Sequence, residues 1–459
     1  MKQKVDQARN LSYTMLLQVL ENKAYSHITV QNYFSNSALD KRDRAFSLAL
    51  FYGVLTRLYT LDFYLNKKIK KGVDSLDPPV RTILRIGVWQ LLFARSVPSF
   101  AAVNETITLL RTYSNEGAVK LGNSVLRRIS EEKENGLFSI ETEKFDVKYA
   151  LNRELSGIVK KCFGEEKAAS IMEAFLEEPE VSIRVNTTKA NQEEVLRYFL
   201  EEGISLQKGH LVEDAFLLPL EGRNPASFSA FSDGWISIQN EAAMLVAKLA
   251  SPKKGDMVLD VCAAPGGKSC HIAELMGNEG QVFSLDIHDK RVEKIRENKE
   301  RLGLTAITEM EADATALRKI MPERENSFDI VLADVPCSGL GLLKRRPDIK
   351  QTMTYEKIQG MLPLQQEILS ESSFFVKPGG LLLYSTCTIN VEENEKQADI
   401  FLMNHPDFVP VSLYDALFSA VGAHAARHKE RAEKGQLLLL PDEDLCDGFF
   451  IAGFRRVYE

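Results

Sequence analysis

"DVCAAPGGKSC", residues 260–270, follows the apolar run Met257–Leu259 and leads into a helical pattern. Small residues between a strand and a helix, closed by Lys-Ser, have the makings of a ligand cradle at a helix N-terminus. A phosphate loop of the form Gly-x-x-x-x-Gly-Lys-Ser/Thr fits at Gly267, Lys268 and Ser269 but requires glycine where this chain has Cys262, and no separate strand offers a convincing acidic partner. The dinucleotide pattern Gly-x-Gly-x-x-Gly is also absent. What remains is a turn through Ala263, Ala264, Pro265, Gly266 and Gly267, whose small side chains let a ligand lie close against the backbone.

Outward from this turn the chain alternates. Strand-like segments at 257–261, 281–287, 306–313, 328–335 and 380–386 are separated by helical patterns such as "DKRVEKIRENKERLG" and "KIQGMLPLQQEILSESSFFV". Such alternation implies a mainly parallel sheet covered on both faces, with "DGFFIAGFRRV" (447–457) closing its edge. A ligand in such a sheet lies beyond the carboxyl ends of the strands. Three acids fall there. Asp260 ends the first strand, Asp286 ends the second 19 residues past Gly267, and Asp313 ends the third. Asp286 is placed to bond ribose hydroxyls, and Asp313 to receive an adenine amino group. With no phosphate fingerprint, the ligand reads as an adenosine without phosphates, S-adenosyl-L-methionine, with Asp260 meeting its positively charged methionine part.

Two cysteines share that rim. "ADVPCSGLG" (333–341) follows the fourth strand and "STCTINVEENE" (385–395) the fifth, which sets both Cys337 and Cys387 at the ligand edge. A thiolate near basic groups is a strong nucleophile, and Lys344-Arg345-Arg346 follows Cys337 closely. Carbon 5 of a pyrimidine is a poor nucleophile until a thiolate adds across carbon 6. An acid at the N3 edge favours that addition by holding a proton there, and Asp334 is placed for it. A second thiol helps the final elimination. N- or O-methylation needs none of these groups.

The rest of the chain differs. Residues 1–138 carry only helical patterns, in "DQARNLSYTMLLQVLEN", "DRAFSLALFYGVLTRLYTLDFYL", a third helix begun by Pro78-Pro79, and, past a break at Ser99–Asn104, "ETITLLRTY" and "VKLGNSVLRRISEEK". Residues 132–146 read as a charged linker. Residues 147–250 mix a strand at "VSIRVN" (181–186), a helix at "NQEEVLRYFLEEG" and short strands, a small α+β module. The 459 residues carry a net charge of −7, yet residues 1–130 hold 19 Lys and Arg against 9 Asp and Glu, net +10, leaving 38 against 55, net −17, for the remainder. This asymmetry points to a polyanion-binding helical module. The six cysteines form no Cys-x-x-Cys pair and the histidines are scattered, so free thiols and no metal site are expected. No apolar run reaches bilayer length and the N-terminus lacks a signal-like apolar region, so a cytoplasmic protein without a membrane partner is expected.

Together, "DVCAAPGGKS", "ADVPCSGLG" and "YSTCTINVEENE" resemble the Nol/Nop/Sun family of RNA 5-methylcytosine methyltransferases, with "IRVN", "SIQNEAA" and "DGFFIAGF" also similar, over about residues 145–459. The N-terminal part resembles a NusB-like RNA-binding domain in "DRAFSLALFYGVLTRLYTLDFYL" and "KLGNSVLRRI". The resemblance implies a NusB-like all-α domain (1–138), a small α+β domain (147–250) and a Rossmann-like class I methyltransferase domain (251–459). It implies Cys387 as the nucleophile at carbon 6, Cys337 as the group that assists release, and Asp334 between cofactor and cytosine. Cys262, Ala263, Ala264, Pro265, Gly266, Gly267 and Lys268 would line the cofactor pocket, with Asp286 on the ribose and Asp313 near the adenine. Lys268 would shape the loop and the active site without binding a phosphate. The implied partner is small-subunit ribosomal RNA, presenting an unpaired or flipped cytosine to a monomeric enzyme. Asn240 departs from the family's usual aspartate, and "FDVKYALNREL" lacks the expected Pro-x-Trp. Other RNAs (tRNA or large-subunit 23S rRNA) as substrate, a DNA cytosine-C5 methyltransferase using Cys337, and a noncatalytic RNA-binding assembly factor are the competing readings.

Overall fold

Helical periodicity carries the N-terminal third. The computed structural model describes residues 5–35, 39–141, 143–220 and 223–458. Its first helices are α1 (Gln7–Leu20), α2 (Ser26–Ser35), α3 (Lys41–Asn66), α4 (Pro78–Leu92), α5 (Ser99–Tyr113) and α6 (Glu116–Glu134). Asp6, Asp40 and Asn115 cap α1, α3 and α6, each accepting a backbone N–H three residues on. Pro78-Pro79 opens α4 as expected. The expected break at Ser99–Asn104 is absent, because Ala102 and Val103 are buried in the bundle and their burial outweighs the polar residues around them. Phe51, Leu55 and Leu61 of α3 share one core with Ile83, Leu84 and Ile86 of α4. Gly53 is required there, since a Cβ would stand 2.2 Å from the Trp89 ring.

The chain forms two compact units. The first comprises residues 1–176 and 343–353, the second residues 177–342 and 354–459. Besides α1–α6 the first unit holds α7 (Phe145–Lys148), α8 (Arg153–Phe163) and α9 (Glu165–Ala174). The stretch read as a charged linker, 132–146, begins inside α6 and ends inside α7, and its residue 142 lies outside the described residues. The segment 343–353 also packs in this unit, through the short turn α16 (Ile349–Thr352). Its Lys350 is buried, donating to the carbonyls of Thr56 and Tyr149 at 3.2 Å each, and burial lowers that amine to about 7.

The second unit opens with a four-stranded antiparallel sheet in the order β2 (Gln207–Lys208), β3 (Ala215–Leu217), β1 (Ser182–Val185), β4 (Ile236–Ile238), flanked by α10 (Gln192–Glu201) and α11 (Ser229–Ser232). The strand expected at "VSIRVN" is β1, but all four of its residues are buried, so its alternation marks two covered faces rather than one wet face.

A larger sheet follows. β5 (Met257–Asp260), β6 (Gln281–Asp286), β7 (Ile307–Glu311), β8 (Phe328–Asp334) and β9 (Val376–Thr386) run parallel in the order β9-β8-β5-β6-β7. The order reverses at β5, which places the crevice at the carboxyl ends of β5 and β8. One face is covered by α12 (Glu241–Ala250), α13 (Gly267–Leu275) and α14 (Asp289–Leu302). The other is covered by α15 (Leu317–Ile320), α17 (Tyr355–Ser373) and α18 (Glu395–Asn404). Past these lie β10 (Phe408–Pro410), α19 (Tyr414–Val421), α20 (Lys429–Glu433), β11 (Gln436–Leu439), α21 (Pro441–Asp444) and β12 (Phe449–Arg456). The late segment expected to close the edge is β12, antiparallel to β9, but it does not form the edge: β10 and β11 both pair with it. Residues 449–454 are buried throughout, as an interior strand requires.

Candidate active site

The cradle begins where β5 ends. Asp260 is fully buried; its Oδ2 accepts from Ser269 Oγ at 2.6 Å, while Oδ1 has no hydrogen-bond partner among the described residues. Burial pushes this carboxyl up to about 6. An orphaned buried acceptor beside a turn of small residues fits a ligand cation, such as the ammonium of S-adenosyl-L-methionine. Gly266 sits at φ +98°, a conformation that favours glycine, and a Cβ there would press to 3.3 Å on Ile295 of α14. Cys262 is held protonated, since burial and then Asp260 push its thiol well above the ordinary value. Asp286, buried at the end of β6, accepts from His288 N at 3.1 Å and faces Arg291 at 3.3 Å. Asp313 lies two residues past β7, not at its end. One of its oxygens accepts from Thr315 N (2.9 Å) and Oγ1 (2.8 Å), which makes it the pivot of a tight turn.

The cradle helix α13 is mounted on the small sheet. Arg184 of β1 donates Nε to Gln239 Oε1 at 2.7 Å and forms a buried ion pair with Glu274 of α13. Burial lowers this guanidinium to about 10. Asn240 caps α12 through Ala243 N (2.7 Å) and donates to Asp447 at 2.7 Å, so "IRVN", "SIQNEAA" and "DGFFIAGF" act as mounting for the site.

The chemical groups gather at the ends of β8 and β9. Asp334 and Ser385 are register partners on these strands, so the segments beyond them leave side by side. Asp334 Oδ2 lies 2.6 Å from Lys268 Nζ, and Oδ1 accepts from Ser385 Oγ at 2.6 Å. Burial works against the Lys268 ammonium, but the charges of Asp334, Asp260 and Cys387 outweigh it and raise its pKa. The Sγ atoms of Cys337 and Cys387 are 3.3 Å apart, too far for a disulfide and within reach of an S–H···S bond. That bond and burial push the Cys337 thiol well above the ordinary range. Cys337 therefore favours its protonated form, and either sulfur can be the donor in the contact with Cys387. The basic triplet expected beside the thiols is not that cation: Lys344-Arg345-Arg346 folds with the helical unit, where Arg346 stands over the Tyr25 ring.

Sequence reasoning missed the clamp that holds both thiol loops. Glu393 is fully buried and accepts from Ser338 N (2.8 Å), Ser338 Oγ (2.6 Å), Asn390 Nδ2 (3.0 Å) and Gln365 Nε2 (3.2 Å). Tyr384 bonds its carbonyl at 2.6 Å. Gly341 N donates to Cys387 O at 3.0 Å and Gly341 O accepts from Gly448 N; a Cβ on Gly341 would stand 1.9 Å from the Gly448 oxygen. The only signal for the clamp was the polar run "INVEENE" after Cys387, where one acid among three is buried.

Comparison with known proteins agrees with this architecture. Residues 247–455 match the family "16S rRNA methyltransferase RsmB/F", residues 6–131 the NusB family, and residues 155–222 the ferredoxin-like domain of RsmF/B-like methyltransferases. The chain is 37% identical to the probable ribosomal RNA small subunit methyltransferase B of Bacillus subtilis, over 98% of both chains. It is 33% identical to the corresponding Synechocystis protein, over 98% of this chain and 99% of that one. The crystal structure of PH0851 superposes with a TM-score of 0.80 at 27% identity, covering 99% of this chain and all of that one. With an N-terminal helical bundle, a small antiparallel module and a parallel-sheet domain whose rim holds two adjacent thiols, the chain belongs to the RsmB/F family of RNA methyltransferases.

Proposed function

We propose that this protein transfers a methyl group from S-adenosyl-L-methionine to carbon 5 of an unpaired or flipped cytosine in small-subunit ribosomal RNA. The observation that carries this reading is the pair of thiols 3.3 Å apart, beside the Lys268–Asp334 pair, at the ends of adjacent strands. The cofactor supplies a methyl group on a sulfonium. Cys262 to Lys268 would line its site, Asp260 would hold its ammonium, Asp286 its ribose and Asp313 its adenine. Cys387, as a thiolate faced by Lys268 and hydrogen-bonded by Cys337, attacks carbon 6 and forms an S–C bond. The ring's electron pair moves toward carbon 5 while N3 takes a proton from the Asp334–Lys268 pair. Once carbon 5 carries the methyl group, its proton leaves to a base, the S–C6 bond breaks with Cys337 assisting, and the ring double bond returns. N3 gives its proton back and the base passes the carbon-5 proton to solvent, the one net proton released per methyl transferred, so acid, thiol and base finish as they began. The same site holds no such use for two thiols if the acceptor is nitrogen or oxygen.

The basic helical unit, residues 1–138 in our reading, would hold the RNA backbone, and a monomer in the cytoplasm suffices for this chemistry. The homologues' names, methyltransferases of the small ribosomal subunit, favour that RNA over transfer or large-subunit RNA. Bisulfite mapping of ribosomal RNA from cells with and without the protein is the test. One small-subunit cytosine should lose its protection when the protein is absent; an unchanged map would overturn the reading.

A further inference from the structure

Two helices of the basic unit carry matching stripes. Asn104, Ile107 and Arg111 occupy positions i, i+3 and i+7 of α5, and Lys120, Asn123 and Arg127 the same positions of α6. Residues at this spacing share one helix face. Only Ser114 and Asn115 separate the two helices, which therefore run as an antiparallel hairpin. With Val119, these six residues line one groove of about 360 Å³ that has no acidic residue in its wall. Ile107 and Val119 are buried and form its floor, whereas Arg111, Lys120 and Arg127 are exposed. Among the described residues none of these three cations has a carboxylate partner, whereas Lys67 and Arg81 of the same unit pair with Glu143 and Glu21.

We infer that this groove is a seat for the RNA phosphodiester backbone, in addition to the catalytic rim; the inference rests on the RNA-directed function proposed above. Seven residues of helix rise are about 10 Å, so Arg111 and Lys120 hold one end of the groove, near the turn, and Asn104 and Arg127 the other. Guanidinium forks suit phosphate oxygens, and Asn123 between Lys120 and Arg127 and Asn104 at the far end add neutral donors. An acidic peptide would offer point charges without need of such a row, whereas a polyanion with regularly spaced charges occupies its whole length.

The test uses the full-length chain, a small-subunit rRNA transcript as probe, and two charge-matched variants. One is R111Q/K120Q/R127Q in the groove; the other is K70Q/K71Q/R95Q, also exposed on the same unit. Neutralising three phosphate contacts should flatten the slope of log affinity against log salt by about 2, at about 0.7 per phosphate for single strands. The groove variant should weaken RNA binding about tenfold or more near physiological salt, raise KM for RNA, and leave cofactor affinity unchanged. The control should keep a nearly wild-type slope. A groove variant with the wild-type slope, or a control that loses as much, overturns the inference. If the groove variant loses RNA affinity but wild-type protein methylates no RNA, the groove stands and the proposed reaction falls. Circular dichroism verifies folding, which exposed Arg or Lys to Gln changes in a helix barely disturb.

Discussion

The α5–α6 groove and the rim of the parallel sheet use positive charge in opposite ways. In the groove three cations stand exposed with no carboxylate partner among the described residues, so their charge is available to a long polyanion and is screened by salt. At the rim Lys268 is half-buried and paired with Asp334, so its charge acts on protons over a few ångströms and salt screens it less. The contrast teaches where each unit's contribution appears in an assay: the helical unit in affinity and salt dependence, the sheet unit in the chemical step.

The largest effect expected is at the thiols. Cys387→Ala should lower methyl transfer by about 10³-fold or more and abolish the covalent RNA adduct, read on a denaturing gel. Cys337→Ala should instead accumulate that adduct. The reverse pattern would exchange their roles and break the assignment of the rim. Next, Lys268→Met or Asp334→Asn should cost about 10²-fold in single-turnover rate while RNA affinity and its salt slope stay near wild type. A loss of salt slope in either variant would erase the division between the two regions.

A pH dependence sharpens it further. Asp260 is raised from 3.8 to about 6 in the folded protein. A cofactor cation needs its carboxylate, so cofactor affinity should fall up to tenfold per unit as pH drops below about 6. The stability contribution runs the other way. Between about 4 and 6 the folded state binds more protons at this group than the unfolded chain, so its contribution to stability decreases as pH rises through that window. Asp260→Asn should flatten both trends in a calorimetric and binding titration; a pH-independent cofactor affinity in the wild type would refute the placement of Asp260. The smallest effect concerns the hairpin itself. Asn115→Ala removes the cap that accepts from Ala118 N at 3.0 Å and should cost about 1 kcal/mol in the helical unit's unfolding transition, with unchanged cofactor affinity.

Much of the architecture was legible from residue patterns. Helices α1, α3, α4 and α6 announce themselves by apolar spacing, and β5, β6 and β8 by short apolar runs that end in aspartate. Two features were not. The helix at α5 starts at Ser99 because Ala102 and Val103 find a core, which local polarity around Asn104 conceals. The strand β12 became interior because β10 and β11 pair beyond it, and short strands carry too few residues to show a period. At the site, Asp260, Asp334, Cys337 and Cys387 were marked by their places at or just past strand ends, and Lys268 by the small-residue turn and the family resemblance. Glu393 was not, because burial decides which of several neighbouring acids becomes an acceptor for a loop.

The amino-acid sequence by itself determined the order of elements, the small-residue turn at 262–268 and the thiols' places just past two strands, since each is a matter of local pattern and chain connectivity. Only the tertiary structure decided that Cys337 and Cys387 lie 3.3 Å apart, that Lys268 answers Asp334, and that residues 343–353 leave the sheet unit for the helical one. Those outcomes depend on strand register and on burial, which couple residues far apart in the chain and leave no mark in any local stretch of it.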